Sequence, residues 1–296
     1  MSDALEQWTA AMRSGRYHTA WAIAEASLRA RDPATRDDPS LPFHQRWVWD
    51  GSDPQGRDVL VRCYHGLGDT IQFARYLPIL AQRARSLTVE AQPRLIALLS
   101  GIAGIDRLVP FDPARPLPPA ECDIEITELD LVLRVAPDAV AAPYLRASRA
   151  ILPRHTLALC HAAGDWDPQR NIPADLLEPI CRQAPTLTLV ADASPLPVLN
   201  PAGCPFDMAV TAAFVATAEL VITVDTMIAH LAGAMGRPTW LLLKHEPDWR
   251  WSPHSRTSPW YPSMRLYAQP HPGDWQSVAD AAIADFAQRA LLTAES

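Results

Sequence analysis

The chain has 296 residues, of which 48% are hydrophobic and 20% are charged, and its net charge is -7. This length is sufficient for two ordinary domains, and the composition is typical of a globular protein. The acidic balance and the lack of a long basic run argue against a nucleic-acid partner. No apolar run reaches the roughly 20 residues of a membrane-spanning helix, and the first residues do not follow a signal-peptide pattern. We therefore expect no integral membrane segment and a cytoplasmic location.

Residues 1–56 predict a helical hairpin followed by a linker. Leu5, Trp8 and Met12 recur at helical spacing, and Gly15 separates this helix from a second one over 17–31. The pattern resembles one tetratricopeptide repeat, and a single repeat cannot bury its own apolar face. We expect the hairpin to pack on the rest of the chain or to be the remnant of a longer array.

From residue 57 onward, apolar strand patterns alternate with helical patterns in two successive series, which predicts parallel sheets. The first series forms an N-terminal domain over 57–150, and the second forms a C-terminal domain over 151–296 that ends in a long helix. The predicted strands cover 58–63, 87–90, the neighbourhood of 108, 123–126, 156–161, 186–191, 219–224 and 239–243. The predicted helices cover about 70–83, 94–99, 174–183, 207–217, 226–235 and 276–291. The fold class is therefore α/β, with two Rossmann-like, doubly wound domains that face each other, preceded by the short hairpin.

The first candidate for chemistry is the glycine turn in YHGLGDTIQFARYLP. Gly66 and Gly68 relax the backbone after a buried strand, and a helix is predicted from Thr70. Asp69 is thereby expected at the carboxyl end of the strand, facing the crevice in which α/β proteins bind ligands. The alternative is that Asp69 only caps the helix, and the spacing alone favours that alternative.

The second candidate is the strand, turn and helix in ELVITVDTMIAHLAGAMGRPTW. Asp225 lies at the strand tip, and Thr226 and Met227 open a helix whose amide groups and dipole suit a diphosphate. His230 lies one turn later, so that it and Thr226 can face the same ligand. The alternative is a capped helix with a hydrogen-bonded core histidine.

Two further features lie in loops of the second series. Arg170 follows the strand over 156–161 and can pair with a phosphate, although a surface arginine is the simpler interpretation. A cluster of aromatic residues can stack on a base or a sugar ring, but such residues more often pack loops together, which we favour here. The cluster comprises Trp249, Trp251, Trp260, Tyr261 and Trp275.

Four segments together resemble the heptosyltransferase-like glycosyltransferases of family 9, and in particular the branch associated with tetratricopeptide repeats. They are LGDTIQFARYLP, VDTMIAHLAGAMGRPTWLLL, PDWRW and SPWYPSMRLY with a later GDW, and the resemblance spans roughly residues 58–275. It implies the GT-B architecture, with two Rossmann-like domains and the active site between them. It also implies an inverting, metal-independent transfer of a sugar from a nucleotide diphosphate sugar to a glycan or protein hydroxyl, with no cofactor.

The resemblance further implies roles for individual residues. Asp69 matches the base for the acceptor hydroxyl, and Arg170 matches a basic residue that contacts phosphate. The residues implied to bind the nucleotide sugar are Gly68, Arg170, Asp225, Thr226, Met227 and His230. This chain departs from related heptosyltransferases at Ala163 and Gly164, where they have hydroxyl residues, and at Met227, where they have glycine.

Two alternative functions stay open on the sequence. The altered nucleotide loops and the lone hairpin fit a non-catalytic module that binds a glycan or a protein on a GT-B scaffold. A sugar-nucleotide epimerase can share the two-domain architecture, but fold analogy is its only support.

Overall fold

The computed structural model describes residues 2–165 and 167–294. The chain divides into two compact units, with the boundary between Leu145 and Arg146. Within the described ranges, none of the helices combines the length and apolar character needed to cross a bilayer.

The elements follow the alternation that the sequence predicts. The helices are α1 (Ser2–Arg13), α2 (Tyr17–Arg29), α3 (Leu67–Phe73), α4 (Leu77–Ala81), α5 (Ile96–Leu99), α6 (Leu129–Leu133), α7 (Glu178–Cys181), α8 (Met208–Thr217), α9 (Met227–Ala234) and α10 (Trp275–Ala294). The strands are β1 (Asp58–Arg62), β2 (Ser86–Ala91), β3 (Arg107–Pro110), β4 (Cys122–Glu125), β5 (Leu157–Cys160), β6 (Thr186–Thr188), β7 (Leu220–Val224), β8 (Thr239–Leu243) and β9 (Met264–Ala268).

Unit 1 is built on a four-stranded parallel sheet in the order β3-β2-β1-β4. Four of the five β1 residues and every β4 residue are buried, as expected for strands covered on both faces.

The hairpin of α1 and α2 belongs to the same unit. Trp21 Nε1 donates a hydrogen bond to Asp130 Oδ2 on α6 at 3.0 Å, and Arg134 forms an ion pair with Glu25. The hairpin therefore packs on the rest of unit 1, the first of the two outcomes expected for it.

Unit 2 is built on a five-stranded parallel sheet in the order β6-β5-β7-β8-β9. From β5 the chain goes to β6 on one side, and β7 then adds on the other side of β5. The order thus reverses between β5 and β7, whose carboxyl ends are adjacent, and such a reversal opens a crevice for ligands. The α/β class with two parallel sheets that the sequence predicts is confirmed.

Several boundaries differ from the sequence expectation. Helix α3 begins at Leu67 rather than Thr70, because Gly66 serves as its N-cap and Asp69 closes the capping interaction. Strand β6 ends at Thr188 and is followed by an irregular loop. Edge strand β9 was not predicted from the sequence.

The loop between β8 and β9, residues 244–263, packs against α9 at a glycine. A Cβ atom on Gly233 would lie 2.4 Å from two ring atoms of Tyr261, which is fully buried. Glycine at this helical position allows the Tyr261 ring to lie directly on the α9 backbone. Trp251 and Trp260 of this loop and Trp275 at the start of α10 are also buried, as the packing interpretation predicts, and Trp249 is half-buried.

Candidate functional site

In unit 1 the glycine turn holds Asp69 by a local hydrogen bond. The backbone N–H of Gly66 donates to Asp69 Oδ2 at 3.0 Å, so the carboxylate caps α3 from within its first turn. Gly68 and Asp69 are both half-buried. Asp69 therefore performs the capping role of the alternative interpretation, but a carboxylate has a second oxygen, and capping does not exclude a role toward a substrate.

A charged network that the sequence reasoning missed joins strands β1, β2 and β4 of the same sheet. Arg62 Nη2 lies 2.7 Å from Asp123 Oδ2 and its Nη1 lies 3.1 Å from Glu90 Oε2, with all three side chains at most 3% exposed. Burial of charged groups is unfavourable unless opposite charges are closely paired. The three side chains of this network are paired in that way. The signal was present in the sequence, since each of these charged residues interrupts an apolar strand.

His65 adds a titratable group beside Asp69. Burial alone would lower the pKa of His65, but Glu125, whose Oε1 lies 2.9 Å from Nδ1, outweighs burial and raises it. The charge of Asp69 raises the pKa of His65 further. Carboxylates on two sides thus favour the protonated imidazolium.

In unit 2 the structure brings Arg170 to the switch point between β5 and β7. Arg170 ends a 3-10 turn over Pro168–Arg170, and its Nη1 donates to the backbone carbonyl oxygen of Asp225 at 2.6 Å. The guanidinium is nearly buried, since Arg170 is only 8% exposed. Arg170 is therefore not the surface arginine of the simpler interpretation, because its side chain contacts the backbone just before the start of α9.

Thr226 forms the N-cap of α9. Its Oγ1 accepts a hydrogen bond from the N–H of Ile228 at 3.1 Å, which satisfies one of the amide groups that a helix leaves unpaired at its start. Met227 is the first residue of α9 and is half-buried. Arg170, Asp225, Thr226 and Met227 therefore lie together at the carboxyl edge of the sheet.

The Asp225 carboxyl is perturbed by this environment. Burial raises the pKa of Asp225 from 3.8 to about 6, and the nearby charge of Asp248 adds to the rise. Trp251, Arg250 and Arg170 act in the opposite direction but do not cancel it. A carboxyl that titrates so close to neutral pH is typical of functional clefts as well as of buried ion networks.

Lys244 is a second cation near Arg170 that the sequence reasoning did not select. It follows β8, and its Nζ lies 2.8 Å from Asp167 Oδ2, while Arg170 Nε lies 3.9 Å from the same oxygen. Asp167 thus holds both cations at one edge of the sheet. The signal was that Lys244 is the only lysine in the chain and directly follows a buried strand.

His230 lies in a different environment from Thr226. Its Nδ1 lies 3.1 Å from the Tyr261 hydroxyl, its ring stacks on Trp251 with centroids 5.5 Å apart, and it is 5% exposed. These contacts are those of the core-histidine alternative, so a role for His230 toward a ligand stays a prediction.

In residues 2–165 and 167–294 there is no group of three or more His, Cys, Asp or Glu side chains that could hold a metal ion.

Several solved structures have a similar fold. The family 9 glycosyltransferase of Veillonella parvula superposes with a TM-score of 0.58 and 13% identity over 82% of this chain and 99% of that one. Escherichia coli ADP-heptose LPS heptosyltransferase II superposes with a TM-score of 0.53 and 14% identity over 78% of this chain and 99% of that one. The iron-containing dodecameric glycosyltransferase TibC from enterotoxigenic E. coli superposes with a TM-score of 0.56 and 14% identity over 77% of this chain and 67% of that one.

No protein-family model matches the chain, and no curated protein matches it. At 13% to 14% identity the similarity to solved structures concerns the fold. The chain has the fold of the family 9 glycosyltransferases, as the resemblance of its four sequence segments implies.

Proposed function

We propose that this protein is an inverting glycosyltransferase, which moves a sugar from a nucleotide diphosphate sugar to a hydroxyl group without a metal ion. The observation that supports the proposal most strongly is the meeting of Arg170 with the Thr226-capped start of α9 at the switch point of the unit 2 sheet. An arginine and a helix N-terminus at one point form an anion site of the kind that binds diphosphates.

The same two groups suit the chemistry of the leaving group. In the proposed reaction the acceptor oxygen forms a bond to the anomeric carbon while the bond from that carbon to the diphosphate oxygen breaks. The negative charge that develops on the diphosphate is then stabilised by the Arg170 guanidinium and by the α9 dipole. Lys244, which shares Asp167 with Arg170, adds positive charge nearby.

Asp69 is the proposed base. It receives the proton of the acceptor hydroxyl as the new glycosidic bond forms, and single displacement inverts the anomeric centre. The acceptor is a hydroxyl of a glycan or of a protein. The proposal assigns Gly68, Met227 and His230 to the nucleotide-sugar site on the sequence resemblance alone, and the cytoplasmic location also stays a prediction.

Calorimetry with a panel of UDP-, GDP- and ADP-sugars tests donor binding. ADP-sugars belong in the panel because the E. coli enzyme of similar fold is an ADP-heptose transferase. We expect one base to give saturable binding, and Arg170→Met to weaken it by about tenfold or more because a charge-assisted hydrogen bond is lost. Arg182→Met is the matched control, since Arg182 lies on the exposed surface and pairs with Glu178.

Turnover separates the base from the donor site. Asp69→Asn is expected to keep donor affinity and to lower sugar transfer by about 10²-fold or more. Transfer at the wild-type rate would remove Asp69 from the mechanism. Absence of binding by every nucleotide sugar would instead favour the non-catalytic module.

A further inference from the structure

A cavity of about 230 Å³ lies in unit 1, between the helical hairpin and the segment that follows β4. Helix α2 forms part of its wall, and the 3-10 turn over Ile126–Glu128 and the start of α6 form another part. The volume is below the range of about 300–1,000 Å³ that is usual for drug-sized ligands, so the cavity fits a small group such as one side chain. The lining includes Trp8, Trp21, Leu28, Trp49, Glu128 and Asp130, and none of the residues proposed for sugar transfer.

Glu128 is the carboxyl group of this wall that a ligand can reach. The N–H of Glu125 donates to Glu128 Oε2 at 3.1 Å, and the N–H of Trp49 donates to the same carboxyl. Glu128 is only half-buried and lines the cavity, so it is open to a ligand there. Among the described residues no cation forms an ion pair with it. Arg31, the cation of the wall, is exposed, and its guanidinium lies 5.5 Å from the centroid of the Trp47 ring.

The surroundings of Glu128 disfavour its charged form. Burial and, next, the charge of Glu125 raise the pKa of Glu128 from 4.5 to about 8. The two N–H donors and the charge of Arg31 act in the opposite direction but do not cancel the rise. A positive group in the cavity would reverse it, because an opposite charge nearby favours the ionised carboxylate.

The rest of the wall indicates what kind of positive group fits. Trp8, Trp21 and Trp49 all line the cavity, and Leu28 adds aliphatic surface. Trp21 and Trp49 are almost covered, whereas Trp8 is half-buried, so Trp8 is the ring that a ligand would contact most. Asp130, whose Oδ2 accepts from Trp21 Nε1 at 3.0 Å, adds negative charge. Indole rings attract cations, and apolar surface accommodates the aliphatic stem of an amine.

We propose that this cavity binds a primary ammonium group on an aliphatic stem, with Glu128 accepting its hydrogen bonds and Trp8 lying against the stem. A lysine side chain of another protein and a free alkylamine share this chemistry. The lysine of this chain is not the ligand, because Lys244 is the only one and is paired with Asp167 in unit 2. The proposal does not depend on sugar transfer, since it concerns a different cavity.

The test observes Trp8 by NMR in protein labelled with ¹⁵N at tryptophan. The indole N–H signal of Trp8 is the one that disappears in Trp8→Phe. The probe is n-butylammonium, and 1-butanol, which has the same stem without the charge, is the neutral comparison. At pH 8 we expect n-butylammonium to shift the Trp8 signal in a saturable manner, and 1-butanol to bind about tenfold more weakly.

The affinity should also depend on pH in a defined direction. The probe stays charged, because alkylammonium groups titrate near pH 10. Glu128 is mostly protonated at pH 6 and about half ionised at pH 8, so binding should tighten about tenfold or more between the two. The other charged groups around this carboxyl are Glu125, Arg31, Asp130 and His65, and His65 can titrate in the same range. A variant that changes Glu128 alone is therefore needed.

Glu128→Gln is that variant. Its amide oxygen can still accept from the N–H groups of Glu125 and Trp49, but the negative charge is absent. It should weaken n-butylammonium binding about tenfold at pH 8, leave 1-butanol binding unchanged and remove the pH dependence. Glu6→Gln makes the same chemical change on the exposed surface of α1 and should alter none of these results.

The source of the ammonium group follows from a second ligand, Nα-acetyl-L-lysine N-methylamide, which carries the same stem on a peptide backbone. Equal binding of the two ligands supports a lysine side chain, and binding of n-butylammonium alone supports a free amine. Failure of n-butylammonium to bind saturably would overturn the proposal. Equal binding by 1-butanol, or unchanged binding by Glu128→Gln, would overturn it as well. None of these results would affect nucleotide-sugar binding at Arg170, which is measured separately.

Discussion

Replacing Asp225 by asparagine tests the electrostatics of the candidate site quantitatively. Folding raises the pKa of this carboxyl from 3.8 to about 6, so the folded state favours its protonated form. Keeping Asp225 ionised therefore costs roughly 3 kcal/mol of folding free energy at pH 7. Asparagine has nearly the same shape and no charge, and it removes this cost.

The sign of the pH dependence follows from the direction of the shift. Below the unfolded pKa of 3.8 the carboxyl is neutral in both states, and its contribution to stability is complete. As pH rises toward about 6, the unfolded chain releases its proton first, and stability falls. About 1 kcal/mol of the loss develops between about pH 5 and pH 7.

The assay is chemical denaturation of wild type and Asp225→Asn across this pH range. The difference in unfolding free energy between the two proteins should grow by about 1 kcal/mol in favour of the variant, because groups that do not interact with Asp225 titrate alike in both proteins. Asp280→Asn, on the exposed surface of α10, controls for removal of a surface carboxylate. A difference that is constant with pH would refute the reasoning.

We expect the same carboxyl to link proton uptake to binding of the proposed donor. Both phosphate groups of a nucleotide sugar are permanently ionised near neutral pH, so their charge beside Asp225 should raise its pKa further. Binding at about pH 6.5 should then take up a proton, which calorimetry in buffers of different ionisation enthalpy detects. Asp225→Asn should bind without this uptake.

Two further predictions concern α9. Thr226→Val removes the acceptor for the N–H of Ile228 and should lower the unfolding free energy by about 1 kcal/mol in urea denaturation, whereas Thr226→Ser should retain it. An unchanged midpoint would show that this cap does not stabilise the helix. Gly233→Ala forces a methyl group to within 2.4 Å of the Tyr261 ring and should destabilise the protein by about 1–3 kcal/mol or more. Gly101→Ala, where nothing lies within 4 Å, should not, and equal effects of the two would argue against tight packing at Tyr261.

The sequence predicts the framework of the fold because that information is local. Apolar residues and glycine alone are enough to predict the buried strands β1 and β7 and the turns after them. The start of α3 is harder to predict from the sequence, because Gly66 has no capping side chain and the cap comes from Asp69 three residues later. Edge strand β9 alternates only weakly and follows a loop rich in proline and aromatic residues.

The site itself depends on contacts that sequence spacing does not contain. Lys244 and Asp167 are 77 residues apart, and only the adjacency of the strand ends brings them within 2.8 Å. The same holds for Arg170 and the carbonyl of Asp225, which are 55 residues apart. An arginine is the same letter in the sequence whether its side chain is exposed or buried, so the burial of Arg170 becomes visible only in the fold.

We propose that a nucleotide sugar binds at the carboxyl edge of the unit 2 sheet, between β5 and β7. A crystal structure with the nucleotide sugar identified by calorimetry tests it most directly. We expect diphosphate oxygen atoms within hydrogen-bonding distance of the Arg170 guanidinium and of the first amide groups of α9. A diphosphate bound elsewhere on the protein, with both of these groups out of contact, would contradict it.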